Sequence, residues 1–309
     1  MIHQTPSSWT LDALVEAYKH HQRRTRGLRE GTLHGYERLI RQLVRAALGD
    51  DPVDPRHLSP STVTEFVISM TSRFSPCSMK ALRTALRSFF RFLRFHGLGD
   101  DRLEAAIPAV AHWRLSTVPR SLSDEQLKRV LLSLDVATLY GHRDRAIILC
   151  LSTLGLRPGE VSALSLDDVD WRAGIVRLGA RKTGHGAVLP LPREVGRAIV
   201  AYVREERPKT VERRVFVQHR GSPCGQPISS GTVSAVVLRA LRRAEVDAPL
   251  FGAYVFRHTV ASRLVRRGAS LKDIADLLGH RCLDTTAIYA KLDLPALREV
   301  ALPWPEDLP

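Results

Sequence analysis

The sequence predicts a mainly α-helical protein with a small β-sheet, split into a helical N-terminal part and a mixed α/β C-terminal part. Three observations carry this expectation. Residues 1–112 repeat apolar side chains at the helical period and show no strand-like alternation. The stretch IPAVAHWRLSTVPRSLS then loses all periodicity and contains two prolines, which places a linker at 113–121. Beyond it, GIVRLGARKTGHGAVLPLP alternates and is rich in β-branched residues, as two strands around a tight turn require.

The first helix is expected in SSWTLDALVEAYKHHQ, where Leu11, Leu14, Val15 and Tyr18 share one face. The second fits GYERLIRQLVRAALG and closes at Gly49. In SPSTVTEFVISM, Ser59 is the expected N-cap and Pro60 the first helical residue. The fourth helix, SMKALRTALRSFFRFLRFHG, puts Leu82, Leu86, Phe89, Phe90 and Leu93 on one side. Arg83, Arg87, Arg91 and Arg94 follow the other side, as solvated surface or as phosphate contacts. Their spacing and the charge of the chain favour contact with DNA.

A second domain is expected from 122 to 309. SDEQ at 123–126 is a capping box ahead of LKRVLLSLD, and HRDRAIILCLSTLG reads as a buried helix. A Pro-Gly break precedes SALSLDDVDW, and VFV at 215–217 reads as a further short strand. From GTVSAVVLRALRRA onward the pattern is helical again, with Gly268 and Gly279 as C-caps.

Lys+Arg number 46 against 32 Asp+Glu, a net charge of +14. So basic a chain points to a polyanionic partner, most commonly nucleic acid. The cysteines at 77, 150, 224 and 282 form no C-x-x-C pair, which argues for a reducing compartment and against a disulfide framework or zinc site. The histidines show no metal-ligand spacing, so no metal is expected. The opening MIHQTPSSWTL lacks a secretory pattern, and no apolar run is long enough to span a membrane, so the expected location is cytoplasmic.

Four segments carry side chains suited to chemistry. In LGLRPGEVSAL, Arg157 ends one helix and Glu160 lies in the first turn of the next, as a cleft-directed donor or an ordinary ion pair. In RKTGHG, Lys182 sits at a hairpin tip, solvated or able to swing into a groove and deliver a proton. In GAYVFRHT, Tyr254, Arg257 and His258 fall on one helical face. In LLGHRCLDTTAIYAKL, His280 follows a helix-ending glycine, Asp284 is placed to cap a helix and Tyr289 lies inside it. Singly, His280 reads as a cap and Tyr289 as core.

Together, LRPGE, the K-T-G hairpin, the R-H-T helix and LGH-x-x-x-x-T-T-x-x-Y, in that order, resemble the tyrosine recombinase (phage integrase) family. The likeness runs from about residue 8 to about residue 292. It implies a helical, SAM-like core-binding domain and a mixed α/β catalytic domain that clamp a DNA duplex. By the same resemblance, Tyr289 is the nucleophile that forms a 3′-phosphotyrosine, Arg157 and Arg257 grip the scissile phosphate, and Lys182 protonates the leaving 5′-oxygen. His280 supports the phosphate or nucleophile, Glu160 orients Arg157, and His258 supports rather than reacts. Site-specific recombination through a Holliday junction is implied, for integration, transposition or resolution. The implied assembly is a homotetramer on two DNA sites, with accessory DNA-bending or excision proteins and exchange of the tail LDLPALREVALPWPEDLP between protomers. A nucleoid-associated protein encoded by a bacterium or mobile element is the corresponding setting. No cofactor is expected, because a phosphotyrosyl bond conserves the energy of the broken one.

One position departs from the family pattern. Where most members have histidine three residues before the second arginine, this chain has Tyr254. A phenol stays protonated at neutral pH and mainly donates a hydrogen bond. Three readings stand: a hydroxyl that holds a phosphate oxygen, a packing residue, or a site that has lost activity. Two other functions share much of the pattern, a type IB topoisomerase-like enzyme and an inactive DNA-binding regulator that would use SLKDIADLLGH as part of a helix-turn-helix.

Overall fold

The structure, a computed structural model, describes residues 9–109, 119–179, 186–220, 224–248, 252–280 and 283–292. The chain forms two compact units, residues 1–114 and 115–309. Among the described residues, no helix is long and apolar enough to cross a membrane.

The first unit contains α1 (Leu11–Arg26), α2 (Glu30–Leu48), α3 (Pro60–Thr71), α4 (Pro76–Phe95) and α5 (Asp101–Ala105). Side-chain oxygens of Thr10, Ser59, Ser75 and Asp100 cap α1, α3, α4 and α5, each accepting a backbone N–H that the helix leaves unpaired. Helix α2 starts five residues before GYERL, in a stretch whose apolar spacing is too sparse to reveal it. The 3₁₀ turn Pro55–His57 and α5 escape periodicity because each is shorter than two helical turns. Leu14, Tyr18, Ile40, Leu43, Phe89 and Phe92 meet in the core. Tyr18 donates to Ser88 Oγ at 2.9 Å, and burial pushes its hydroxyl up to about 12.

The arginine face of α4 is not uniform. Arg91 pairs with Glu104 at 2.6 and 3.1 Å, and Arg94 pairs with Asp101. Both carboxylates belong to the end of the unit around α5. Arg83 and Arg87 are half-buried. Exposed pairs such as Arg91–Glu104 contribute about 0–1 kcal/mol each, so they hold α5 only loosely against competing anions.

The second unit runs through α6 (Asp124–Leu132), α7 (Gly141–Leu154), α8 (Pro158–Ala163), β1 (Val169–Asp170), β2 (Ile175–Leu178), β3 (Ala187–Pro190) and α9 (Arg193–Ala201). It continues through α10 (Ser230–Arg243), α11 (Tyr254–Arg266), α12 (Leu271–Leu278), α13 (Leu283–Thr286) and a 3₁₀ turn, Ala287–Leu292. The capping box is formed by Ser123 and Gln126. The sheet is antiparallel in the order β1-β2-β3, with Val176 opposite both Val169 and Leu189. Helix α7 is buried on every side from Ala146 to Leu151, which makes it the central element of this core.

Several sequence expectations change here. Residues 215–217 form no strand; they make an isolated bridge, Val217 with Pro227. Their backbone groups go to scattered partners and not to one ladder: the Val215 N–H to Leu164 O, the Val217 N–H to the Tyr202 hydroxyl, and Phe216 O accepts the Ile228 N–H. Tyr289 lies in a 3₁₀ turn rather than within an α-helix. The hairpin tip with Lys182, the Asp284 side chain, the exchange tail and most of the expected linker lie outside the described residues.

Thr259 ties the entry of this unit to α11. It is fully buried, accepts the Leu122 N–H at 2.9 Å and donates to Val255 O at 2.8 Å. Thr259→Val keeps the shape and strands a buried amide, which costs about 1–3 kcal/mol. Urea denaturation of the variant is expected to show that loss in the transition of the second unit; an unchanged midpoint would remove Thr259 as the tie.

Candidate active site

The site is built where the C-terminal ends of α7 and α12 meet α11. Helix α7 ends at Gly155, in the left-handed conformation with φ of 64°. A Cβ there would lie 3.1 Å from Leu278 Cδ2 and 3.4 Å from Val260 Cγ1, so the positive φ and the close neighbours together favour glycine. Helix α12 likewise ends at Gly279, with φ of 59°. Each terminus leaves carbonyls without an intrahelical donor.

Two arginines take up those carbonyls. Arg257, 5% exposed, donates to Gly155 O at 2.7 Å and to Leu278 O. Arg157 donates to Gly279 O at 3.3 Å. Positive charge is favoured at a helix C-terminus, so the same contacts complete the helices and fix the guanidiniums. Glu160 holds Arg157 from the other side: one carboxylate oxygen accepts its backbone N–H at 2.9 Å and the other its guanidinium at 2.7 Å. Each guanidinium has five N–H donors in a rigid fork suited to phosphate oxygens.

His280, next after Gly279, is locked by Nδ1 to the buried Thr286 hydroxyl at 2.8 Å, and its N–H donates to Ala275 O. That pairing joins α12 to α13 and orients the turn that carries Tyr289. Tyr289 is 2% exposed, and its hydroxyl lies 2.9 Å from His258 Nδ1. Burial pushes its phenol up to about 12, and the Arg257 charge offsets this only in part. A phenol at about 12 is ionised in only about one molecule in 10⁵ at pH 7. Burial, followed by the neighbouring Arg257 charge, lowers the His258 pKa, so its imidazole is neutral at pH 7.

The structure therefore gathers Arg157, Glu160, Arg257, His258, His280 and Tyr289 into one connected site. Tyr254 is different. It is the first residue of α11, 53% exposed, and among the described residues its hydroxyl makes no hydrogen bond. Such exposure speaks against a packing role. The α4 arginines belong to the other unit. Gly155, Thr286 and the carbonyls of Leu278 and Gly279 were not singled out from sequence. Gly155 carried a weak signal as a glycine at a helix end; backbone carbonyls carry none. Among the described residues, no group of three or more His, Cys, Asp or Glu side chains could hold a metal ion.

Comparison with known proteins follows the same division. The Phage integrase family profile matches residues 120–294, and the Phage integrase, N-terminal SAM-like domain profile matches residues 15–97. The protein y4rA of Sinorhizobium fredii, named as an integrase/recombinase, is 43% identical over 292 residues, covering 94% of this chain and 70% of that protein. Tyrosine recombinase XerD of Listeria monocytogenes is 26% identical over 299 residues, covering 94% of this chain and 97% of XerD. XerH site-specific recombinase bound to palindromic difH substrate shares the fold at 18% identity and a TM-score of 0.70, covering 94% of this chain and 83% of that one. A lambda integrase dimer bound to a COC′ core site does so at 20% identity and a TM-score of 0.66, covering 89% of this chain and 96% of that one. The chain belongs to the phage integrase family, the tyrosine recombinases, enzymes that cut and rejoin DNA.

Proposed function

We propose that the protein is a site-specific recombinase that breaks a DNA phosphodiester by attack of Tyr289 and rejoins it from a 3′-phosphotyrosyl intermediate. The observation that carries this reading is the contact of Tyr289 with His258, the residue after Arg257, at the junction Arg257 shares with Arg157. Attack on a phosphodiester adds negative charge to the nonbridging oxygens, and two fixed guanidiniums stabilise that charge electrostatically. Glu160 and the helix-end carbonyls keep the forks in place, and His280 keeps the tyrosine turn in place. Lys182 is proposed to protonate the leaving 5′-oxygen.

The partner on this reading is double-stranded DNA with specific sites. The charge of +14 supports it, as do the relatives whose structures are described as bound to difH or core-site DNA. Strand exchange between two sites requires four cleaving protomers, so a homotetramer on DNA belongs to the same proposal. The helical unit before the linker, 1–112, would bind the duplex and the unit from 122 onward would cut it.

Tyr254 is assigned a phosphate oxygen. It stands exposed at the N-terminus of the 13-residue α11, where anions are favoured. Tyr254→Phe removes only that hydroxyl, so cleavage is expected to slow about 10-fold, the worth of one hydrogen bond to a charged group. Folding should be unaffected, and a cleavage rate equal to wild type would show that the hydroxyl does not touch substrate.

Covalent trapping tests the main reading. Wild-type protein incubated with fragmented genomic DNA is expected to yield protein–DNA adducts, and sequencing the attached DNA reveals the site. Tyr289→Phe should give none while still binding that site. Equal adduct yield from both proteins would overturn the nucleophile assignment.

A further inference from the structure

A nucleophilic tyrosine must lose a proton, and the family position that would supply a histidine for this is Tyr254 here. We propose that His258 is the base that takes the Tyr289 proton as the phenol attacks phosphorus; the proposal rests on the reading of Tyr289 as nucleophile.

The geometry is direct. His258 Nδ1 lies 2.9 Å from the Tyr289 oxygen, with the two rings tilted and their centroids 5.8 Å apart. That is hydrogen-bond reach, the first requirement of a general base. The alternatives among the described residues are engaged elsewhere. Glu160 binds Arg157 through both oxygens, and His280 Nδ1 is held by Thr286. Asp273 caps α12 with Ser270, and Asp276 pairs with Lys272 on the exposed side of that helix. His258 also follows Arg257 on α11, so one helix fixes the proton acceptor and a phosphate-binding guanidinium relative to each other.

The balance of the step is simple. The Tyr289 oxygen forms a bond to phosphorus, and its proton passes to His258 Nδ1, giving an imidazolium. The P–O5′ bond breaks, its electron pair leaves with O5′, and the acid assigned to Lys182 protonates that oxygen. In rejoining, the 5′-hydroxyl attacks phosphorus and returns its proton to Lys182, while the bond from phosphorus to the Tyr289 oxygen breaks and that oxygen recovers its proton from His258. No oxidant, metal or nucleotide enters. The imidazolium would sit beside Arg257, which opposes it. The negative charge gathered on the phosphate in the transition state offsets that repulsion, so transfer accompanies attack rather than preceding it.

Two measurements test the proposal. In the protein without DNA, ¹⁵N NMR of histidine-labelled samples should show His258 as the Nε2–H tautomer, with a bare Nδ1 whose resonance moves in Tyr289→Phe. A protonated Nδ1 would make His258 the donor and overturn the proposal, whatever Tyr289 does. The second uses duplexes carrying the site recovered from wild-type adducts, made with an ordinary oxygen or a bridging sulfur at the scissile 5′ position. Sulfur leaves without an acid, so it relieves the loss of an acid but not of a base. His258→Asn retains hydrogen-bonding ability without basicity and should slow adduct formation about 10²-fold on both duplexes. A loss under about 10-fold, or one that sulfur abolishes, rejects His258 as the base. His258→Gln is read by the same ratios if the asparagine protein fails to bind the duplex. If wild-type protein forms no adduct on any DNA, the nucleophile reading fails by itself, and the tautomer measurement still decides the hydrogen bond.

Discussion

The interaction on which the site depends is between two arginine side chains and the carbonyl ends of two helices. Arg257 bridges Gly155 O and Leu278 O, and Arg157 reaches Gly279 O. Helix ends carry partial negative charge and unpaired acceptors, so a buried guanidinium there is both satisfied and stabilising. Arg157 is held in addition by the Glu160 carboxylate at 2.7 Å. Glu160 also serves as part of the N-terminal cap of α8 by accepting the Arg157 N–H. Helix-end carbonyls thus fix the direction of both guanidiniums, and a carboxylate adds to them at Arg157.

This arrangement explains why glycines punctuate the motifs. Gly155 must adopt a positive φ and must let Leu278 and Val260 come close. Gly279 turns the chain so that its carbonyl faces Arg157 while His280, one residue later, faces Thr286. Thr259 anchors the start of the second unit to α11, the helix that bears Arg257 and His258. The R-H-T run therefore combines a guanidinium that completes two helix ends, a tyrosine contact and a structural tie in three consecutive residues. Helical geometry sends them in three directions, about 100° apart.

Much of this was legible before any coordinates. The long helices announced themselves by periodicity and caps, as at Ser59 and in the Ser123–Gln126 box. The antiparallel hairpin announced itself by alternation. What sequence missed was α9, which was not read as a helix, together with short or non-local pieces: α5, the two-residue β1, and the isolated bridge at Val217 that a VFV run imitates. Such segments are fixed by tertiary contacts, and a buried apolar triplet looks the same whether or not it pairs. For the site, ordered motifs supplied the residue types, yet not their partners. His258 read as a supporting residue because nothing in GAYVFRHT shows that a tyrosine 31 positions later lies 2.9 Å away.

The contrast between Tyr254 and His258 sharpens what replacement of a histidine means physically. Both positions lie on α11, one turn apart, yet one side chain is 53% exposed and the other half-buried against Tyr289. Exposure suits a group that meets substrate from solvent; partial burial suits one that works on another side chain. A phenol can donate to a phosphate oxygen at Tyr254 without any change of protonation state, which is all that position asks of it on the proposed reading. Proton acceptance needs a lone pair at the nucleophile, and His258 brings a neutral ring there because burial and Arg257 keep it from protonating at pH 7. Those influences also make it a poor base toward a phenol near 12, so on the proposed reading attack requires the added negative charge of a phosphate between the guanidiniums. On the proposed reading, reactivity is then tied to occupancy of the arginine pair by electrostatics.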